Sequence, residues 1–199
     1  MKNLFWVLAI LVLPFGQAWG QDLSGTQKWF EQVDGGAVIP VSPEVSRDYA
    51  VGLGGDVLMG RRFNRDFSLA ADVGYFYCGQ KTSGETGAGW TYVPAMLLLR
   101  YNIGEGWIRP YLLLGAGAAL NSYSIAVASS GPAISSSHNE IDWLLAPGLG
   151  ILFRLEPGLA VYLQTRLDVD FTPVSVGLPP SENPTLFIPV KIGITFSDI

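Results

Sequence analysis

Ser135-Ser136-Ser137-His138-Asn139-Glu140 holds the chain's single histidine, with serines on one side and an acid on the other. A hydroxyl, an imidazole and a carboxylate are the ingredients of acyl transfer or hydrolysis, with serine as nucleophile and histidine as base. Asp168 and Asp170, two residues apart, share one face of a strand and offer a pair for acid–base work. Arg166 and Lys191 stand as neutralising partners for that pair, which makes structural pairing its simpler explanation. The run Arg61-Arg62-Phe63-Asn64-Arg65 is the densest positive stretch and falls between two strands. It reads as a solvated turn that also suits contact with anionic headgroups or lipopolysaccharide phosphates. Cys78 stands alone, so it forms no internal disulfide, and it reads as a small buried residue. No nucleotide loop, zinc spacing or nucleophile elbow is present, and no cofactor is expected. No basic cluster points to nucleic acid.

These residues are carried by strands of two-faced composition. In Leu159–Phe171 the odd positions are apolar except Thr165, while the even ones include Gln164, Arg166, Asp168 and Asp170. Side chains alternate faces along a strand, so one side is oily and the other polar. The same alternation appears near residues 48–62, 66–79, 90–103, 109–121, 139–154 and 185–196. A less regular segment at about 28–40 completes a set of eight. Each segment reaches the ~9–11 residues that cross a bilayer as a tilted strand. Shifting any of them by one residue would turn its charges onto the oily side, where a basic residue costs roughly 2–4 kcal/mol at mid-bilayer.

The expected fold is therefore an all-β, eight-stranded, antiparallel up-and-down transmembrane barrel. A soluble barrel would reverse the faces and need a densely charged exterior. The polar faces here are instead rich in Gly, Ala and Tyr. The inward set is Asp56, Asp72, Arg100, Arg109, Asp142, Arg154, Arg166, Asp168, Asp170 and Lys191. An eight-stranded interior is just wide enough for side chains to fill it, and charges confined there must pair. The expectation is a polar network that plugs the lumen, with a narrow passive pore as the alternative. Gly115 and Gly117 on the inner face leave room for bulky neighbours. Tyr49, Trp90, Tyr101, Trp107 and Trp143 lie near strand ends and are candidates for interfacial aromatic girdles.

The connections alternate in length. Short links fall near Asn64, at Gly104-Glu105-Gly106 and at Glu156-Pro157-Gly158. Longer ones span about Gln80–Gly89, Ser122–His138 and Thr172–Pro184. Short turns belong on the periplasmic side and long loops outside. Val41–Arg47 is then the shortest external loop. Residues 1–20 read as a cleaved signal peptide: Lys2, an apolar core from Leu4 to Phe15, and Ala18-Trp19-Gly20 before Gln21. Residues 21–199 then form one barrel domain, with strands over about 28–197, placed in the outer membrane of the cell.

Val93-Pro94-Ala95-Met96-Leu97-Leu98-Leu99-Arg100-Tyr101, Arg109-Pro110-Tyr111-Leu112-Leu113-Leu114-Gly115-Ala116-Gly117 and Pro189-Val190-Lys191-Ile192-Gly193-Ile194-Thr195-Phe196 occur in order along the chain. In these segments and their spacing the chain resembles the small outer-membrane β-barrel family of the OmpA transmembrane domain, OmpX and the opacity-type proteins. The resemblance implies insertion by the barrel assembly machinery, which reads a last strand ending in an aromatic. Here Phe196 is followed by Ser197-Asp198-Ile199. It also implies contact with outer-membrane lipids and lipopolysaccharide, and a structural or surface-interacting role without catalysis. Some barrels of this kind modify lipid A with a Ser/His/acid set. The deacylases among them place serine two residues after histidine, where this chain has Glu140. Loops 122–138 and 172–184 are the candidate surface for an external ligand.

Overall fold

The computed structural model describes residues 28–81, 89–127, 134–171 and 184–197. The expected leader, most of the 80–89 and 172–184 loops and the tip of the 122–138 loop lie outside that range. The elements are β1 (Lys28–Pro40), α1 (Pro43–Asp48), β2 (Gly52–Arg62), β3 (Phe67–Gly79), β4 (Gly89–Asn102) and β5 (Ile108–Val127). They continue with β6 (Ile134–Glu156), β7 (Leu159–Arg166), β8 (Asp168–Asp170) and β9 (Thr185–Ser197). Every pairing is antiparallel, sequence neighbours pair with one another, and β1 closes the ring on β9 from Phe30↔Ser197 to Pro40↔Phe187.

β7 and β8 are one crossing interrupted at Leu167, so the nine named strands make eight crossings. The interruption has a local cause. Leu167 donates its N–H to the Pro147 carbonyl at 2.8 Å. Proline has no N–H to return, so the ladder loses one bond there.

The ring has two unlike ends. Residues 63–66, 103–107 and 157–158 make the short turns, at the end where β1 begins and β9 finishes. The Asn64 side-chain oxygen accepts the N–H groups of Asp66 (2.9 Å) and Phe67 (2.7 Å), an Asx turn that fixes the first of these. Gly158 supplies a positive φ of 84° in the tightest one.

At the opposite end two expectations are revised. The link after β1 contains the single helical turn α1, and it brings Val45 and Tyr49 onto the end of the core. The stretch 122–138 is largely strand: β5 and β6 stay in register through seven further pairs, from Asn121↔Glu140 to Val127↔Ile134. At ~3.3 Å per residue these carry the hairpin roughly 20 Å further along the strands.

The faces fall as the alternation requires. Leu53, Val73, Leu97, Leu112, Leu149, Leu163 and Ile192 are exposed on the outside, and their alternates are buried within. Among the described residues no helix is long and apolar enough to cross a membrane; the strands supply the apolar band. Gly150 and Gly193 are bare for a reason. A Cβ on the first would run into the Tyr111 ring, and on the second would sit 2.7 Å from Cζ of Tyr162. The same logic holds at Gly115, where a Cβ would meet Leu98 at 2.6 Å.

Candidate functional site: the polar lumen

Inward positions of all the crossings meet on the barrel axis, and they do so in layers. At the centre Arg166 from β7 touches three carboxylates. Its Nη1 donates to Asp72 at 2.5 Å and stands 3.5 Å from Asp56, and its Nε is 2.8 Å from Asp168. All four side chains are fully shielded from solvent. Lys191 from β9 donates to Asp56 and lies 3.6 Å from Asp34. Tyr162 donates to Asp34 at 2.6 Å, and Tyr92 to Asp168 at 2.8 Å. Strands from around the ring thus converge on two cations, with the four carboxylates of Asp34, Asp56, Asp72 and Asp168 around them.

Toward the long-loop end the network centres on an amide and then turns aromatic. Asn121 donates to Asp142 (2.7 Å) and Asp170 (2.9 Å) and accepts from the Trp90 indole (2.9 Å). Above it Trp90 stacks on Phe187 with centroids 4.5 Å apart and lies parallel to Tyr123 at 6.1 Å. Tyr49 tilts against both Trp90 and Tyr123. These rings pack against one another in the buried interior.

Toward the short-turn end Arg100 donates to Gln32 at 2.5 Å and lies over the Tyr111 ring at 4.4 Å; Tyr111 in turn donates to Gln164 at 3.0 Å. Beyond this layer the interior widens into a cavity.

The ten residues singled out from the sequence therefore have different places. Asp56, Asp72, Arg166, Asp168 and Lys191 form one cluster; Asp142 and Asp170 sit above it on Asn121, and Arg100 sits below. Arg109 and Arg154 are not among the buried charges. Arg109 is half-buried, Arg154 exposed, and both line the cavity at the mouth. They lie within a few residues of the turns, beyond the level at which the packed interior ends.

Asp34, Gln32, Tyr92, Tyr111, Asn121, Tyr162 and Gln164 complete the network without having been singled out. Most are uncharged, so a search for charges passes over them; their inward phase was the available signal.

Two girdle candidates are corrected. Trp90 is wholly buried, since it shares the phase of the inward Tyr92 and Met96. Tyr49 points into the lumen mouth, because α1 breaks the alternation before β2 begins. Trp143 and Tyr101 do face outward, with Trp143 74 % exposed, while Trp107 is exposed in the short turn and lines the mouth cavity. Tyr101 packs on Phe67 at 4.8 Å, beside the short-turn rim. Cys78 is buried. Backbone pairing sets His138 opposite Tyr123 and Ser137 opposite Ser124, within the hairpin rather than at a loop tip. The side chains of Ser135–His138 lie outside the described part.

No protein-family model matches the chain, and no curated protein does. Solved structures do. Neisserial surface protein A superposes with a TM-score of 0.59 at 16 % identity, covering 84 % of this chain and 96 % of its own. A major outer membrane protein from Thermus thermophilus gives 0.63 at 11 % identity, covering 87 % of this chain and 100 % of its own. Ail, the attachment invasion locus protein of Yersinia pestis, gives 0.52 at 16 %, with 88 % and 100 % covered. Together with the closed ring, the oily exterior and the polar interior, these likenesses give the chain the fold of the small outer-membrane β-barrels.

Proposed function

We propose that this protein is a sealed, non-catalytic barrel of the outer membrane whose work is done by what it displays outside. The observation that carries this reading is the β5–β6 hairpin. Among the described side chains of this hairpin the last outward-facing leucine and isoleucine are Leu120 and Ile141, yet the two strands continue in register to Val127↔Ile134, three pairs past Ser124, where β5 last pairs with β4. A ladder that outlasts the apolar band has no role in spanning. It builds a ribbon of serine-rich sequence in the aqueous phase, with backbone edges for a partner. Two of the similar structures are named for surface or attachment roles, Neisserial surface protein A and the attachment invasion locus protein.

A filled interior supports the absence of transport. Charges at the centre contact one another, and aromatic rings block the outer end. The same reading takes residues 1–20 as a cleaved leader and the barrel assembly machinery as the route of insertion. It places lipopolysaccharide around the outer girdle, with loops 122–138 and 172–184 as the contact surface.

The test replaces residues 124–137 by a two-residue turn and displays both forms on a non-adherent Gram-negative host. Attachment to coated surfaces should fall to background in the shortened form while its gel shift on boiling is kept. Equal attachment of both forms would remove the hairpin from the account. In planar bilayers the purified barrel should show no large steady conductance.

A further inference from the structure

The short-turn mouth differs from the rest of the lumen in its balance of charge. Its cavity measures about 610 Å³ and is lined by Arg62, Arg65, Arg100, Arg109 and Arg154, against the single carboxylate of Glu156. Arg65 is engaged on the rim by Glu105 at 2.9 Å. Of the other four, Arg62, Arg100 and Arg109 have uncharged hydrogen-bond or ring partners, although Arg109 also feels the nearby carboxylates of Glu105 and Asp66. Arg100 donates to Gln32 and Arg109 to the Gly106 carbonyl at 3.2 Å. Arg62 and Arg100 each lie 5.6 Å from the centre of the Phe30 ring. Among the ion pairs of the described residues, none joins a carboxylate to Arg62, Arg100, Arg109 or Arg154.

This is not how the chain treats cations elsewhere. Arg166 and Lys191, further up the axis, are each set among carboxylates. Four guanidiniums around one space repel one another, and low-dielectric walls concentrate their field into the mouth. Thr195, 2 % exposed, forms part of the cavity wall, and its buried hydroxyl has no hydrogen-bond partner.

We propose that this vestibule binds a phosphate-class polyanion. All the basic groups lining it are arginines, whose planar forks hold phosphate oxygens two at a time. Four guanidiniums facing one carboxylate leave an excess that a single carboxylate ligand would not offset and a diphosphate would. Leu152, Leu155 and Leu159 complete the walls, so an organic ester fits as well as a bare anion. The volume suits a ligand of that size, since small-molecule pockets run to ~300–1,000 Å³. The mouth opens at the short-turn side, the periplasmic one in spanning barrels. The phosphate belongs either to a soluble ester of that compartment or to the headgroup of an anionic lipid bent over the rim.

The experiment uses the full barrel in nanodiscs of zwitterionic lipid, titrated calorimetrically with inorganic pyrophosphate. Saturable binding near one per barrel is expected. Arg62→Gln with Arg154→Gln should weaken it at least about tenfold, the loss of one to two charge-assisted hydrogen bonds. Both positions are solvent-accessible, and the gel shift on boiling reports that the variant is folded. If the pair does not fold, Arg154→Gln alone carries the comparison, with a several-fold loss expected. Arg47→Gln, at the far end of the barrel, should leave affinity unchanged. No saturable binding up to about 10 mM, which is weaker than ~3 kcal/mol, overturns the proposal. So does equal affinity in the wild-type and double-variant barrels. Nanodiscs rich in phosphatidylglycerol distinguish the sources. A fall in pyrophosphate affinity confined to the wild type assigns the site to a lipid headgroup. An unchanged affinity assigns it to a soluble phosphate ester.

Discussion

Replacing Arg166 with methionine tests whether the centre of the barrel is dry. The guanidinium lies within 3.5 Å of Asp56, Asp72 and Asp168, and none of these side chains is exposed. Methionine keeps much of the volume and removes the charge. Two unit charges ~4 Å apart attract by about 1 kcal/mol in water and about 4 kcal/mol at an effective dielectric constant of ~20. If the cluster is shielded, the substitution leaves Asp72 and Asp168 buried without the cation that contacts them, and the loss should be ~3–5 kcal/mol. If water fills the lumen, the orphaned carboxylates hydrate and the loss stays under about 1 kcal/mol.

The assay is equilibrium folding into lipid vesicles across a urea series, read from the fraction of gel-shifted band in unboiled samples. A companion variant adds Asp72→Asn and Asp168→Asn. Replacing a buried ionic group together with its partners is close to neutral where removing one member is not, so most of the lost stability should return. A loss below about 1 kcal/mol in the single variant would refute the shielded network and reopen the lumen to conduction. A triple variant no more stable than the single would show that Arg166 acts through packing, not charge.

Three further outcomes follow from the same geometry. Leu114→Arg, midway between the outward-facing Ile108 and Leu120 of β5 and itself exposed, should cost ~2–4 kcal/mol in vesicles, whereas Trp107→Arg in the short turn should cost ~0–1; equal costs would mean the apolar band is not at this depth. Gly150→Ala drives a Cβ into the Tyr111 ring and should cost ~1–3 kcal/mol by overpacking, while Gly79→Ala, with nothing within 4 Å, should be nearly silent in the same urea series. In single-tryptophan variants, Trp143 should be quenched by brominated acyl chains and Trp90 should be protected from both these and aqueous acrylamide; quenching of Trp90 by either would contradict the closed outer end.

How much of this was legible in the sequence depends on which physical rule governed each residue. Leu97, Leu99, Arg100 and Lys191 were placeable because a one-residue slip would carry a charge into lipid, so the phase of β4 and β9 is strongly determined. Asp34 was not. Its strand carries Glu31 on the outer side and Gly35-Gly36 at its centre, which blur the alternation. Glu31 is tolerated because it pairs with Phe196 at the short-turn rim, where headgroups and water begin. Trp90 and Tyr49 were misplaced for a different reason. Nearness to a strand end suggested the membrane interface, but phase decides the face, and for Tyr49 a helical turn resets it. The register of the β5–β6 extension was invisible, since the serine-rich sequence of 134–138 carries no clear apolar alternation to pin it. Only pairing across the hairpin reveals that it is strand.

The centre and the short-turn mouth of the lumen show that charge pairing inside this barrel is positional. A cation at the centre cannot be hydrated, so Arg166 and Lys191 require carboxylates from other strands, and the chain supplies them from β1, β2, β3 and β8. An arginine at the mouth has water available, and so Arg62, Arg109 and Arg154 persist without carboxylate partners at little cost in stability. Stability alone would not require the mouth arginines, whereas it does require the central ones. Substitutions there therefore separate the two roles: loss at the centre should be read in folding, and loss at the mouth in anion affinity with folding unchanged.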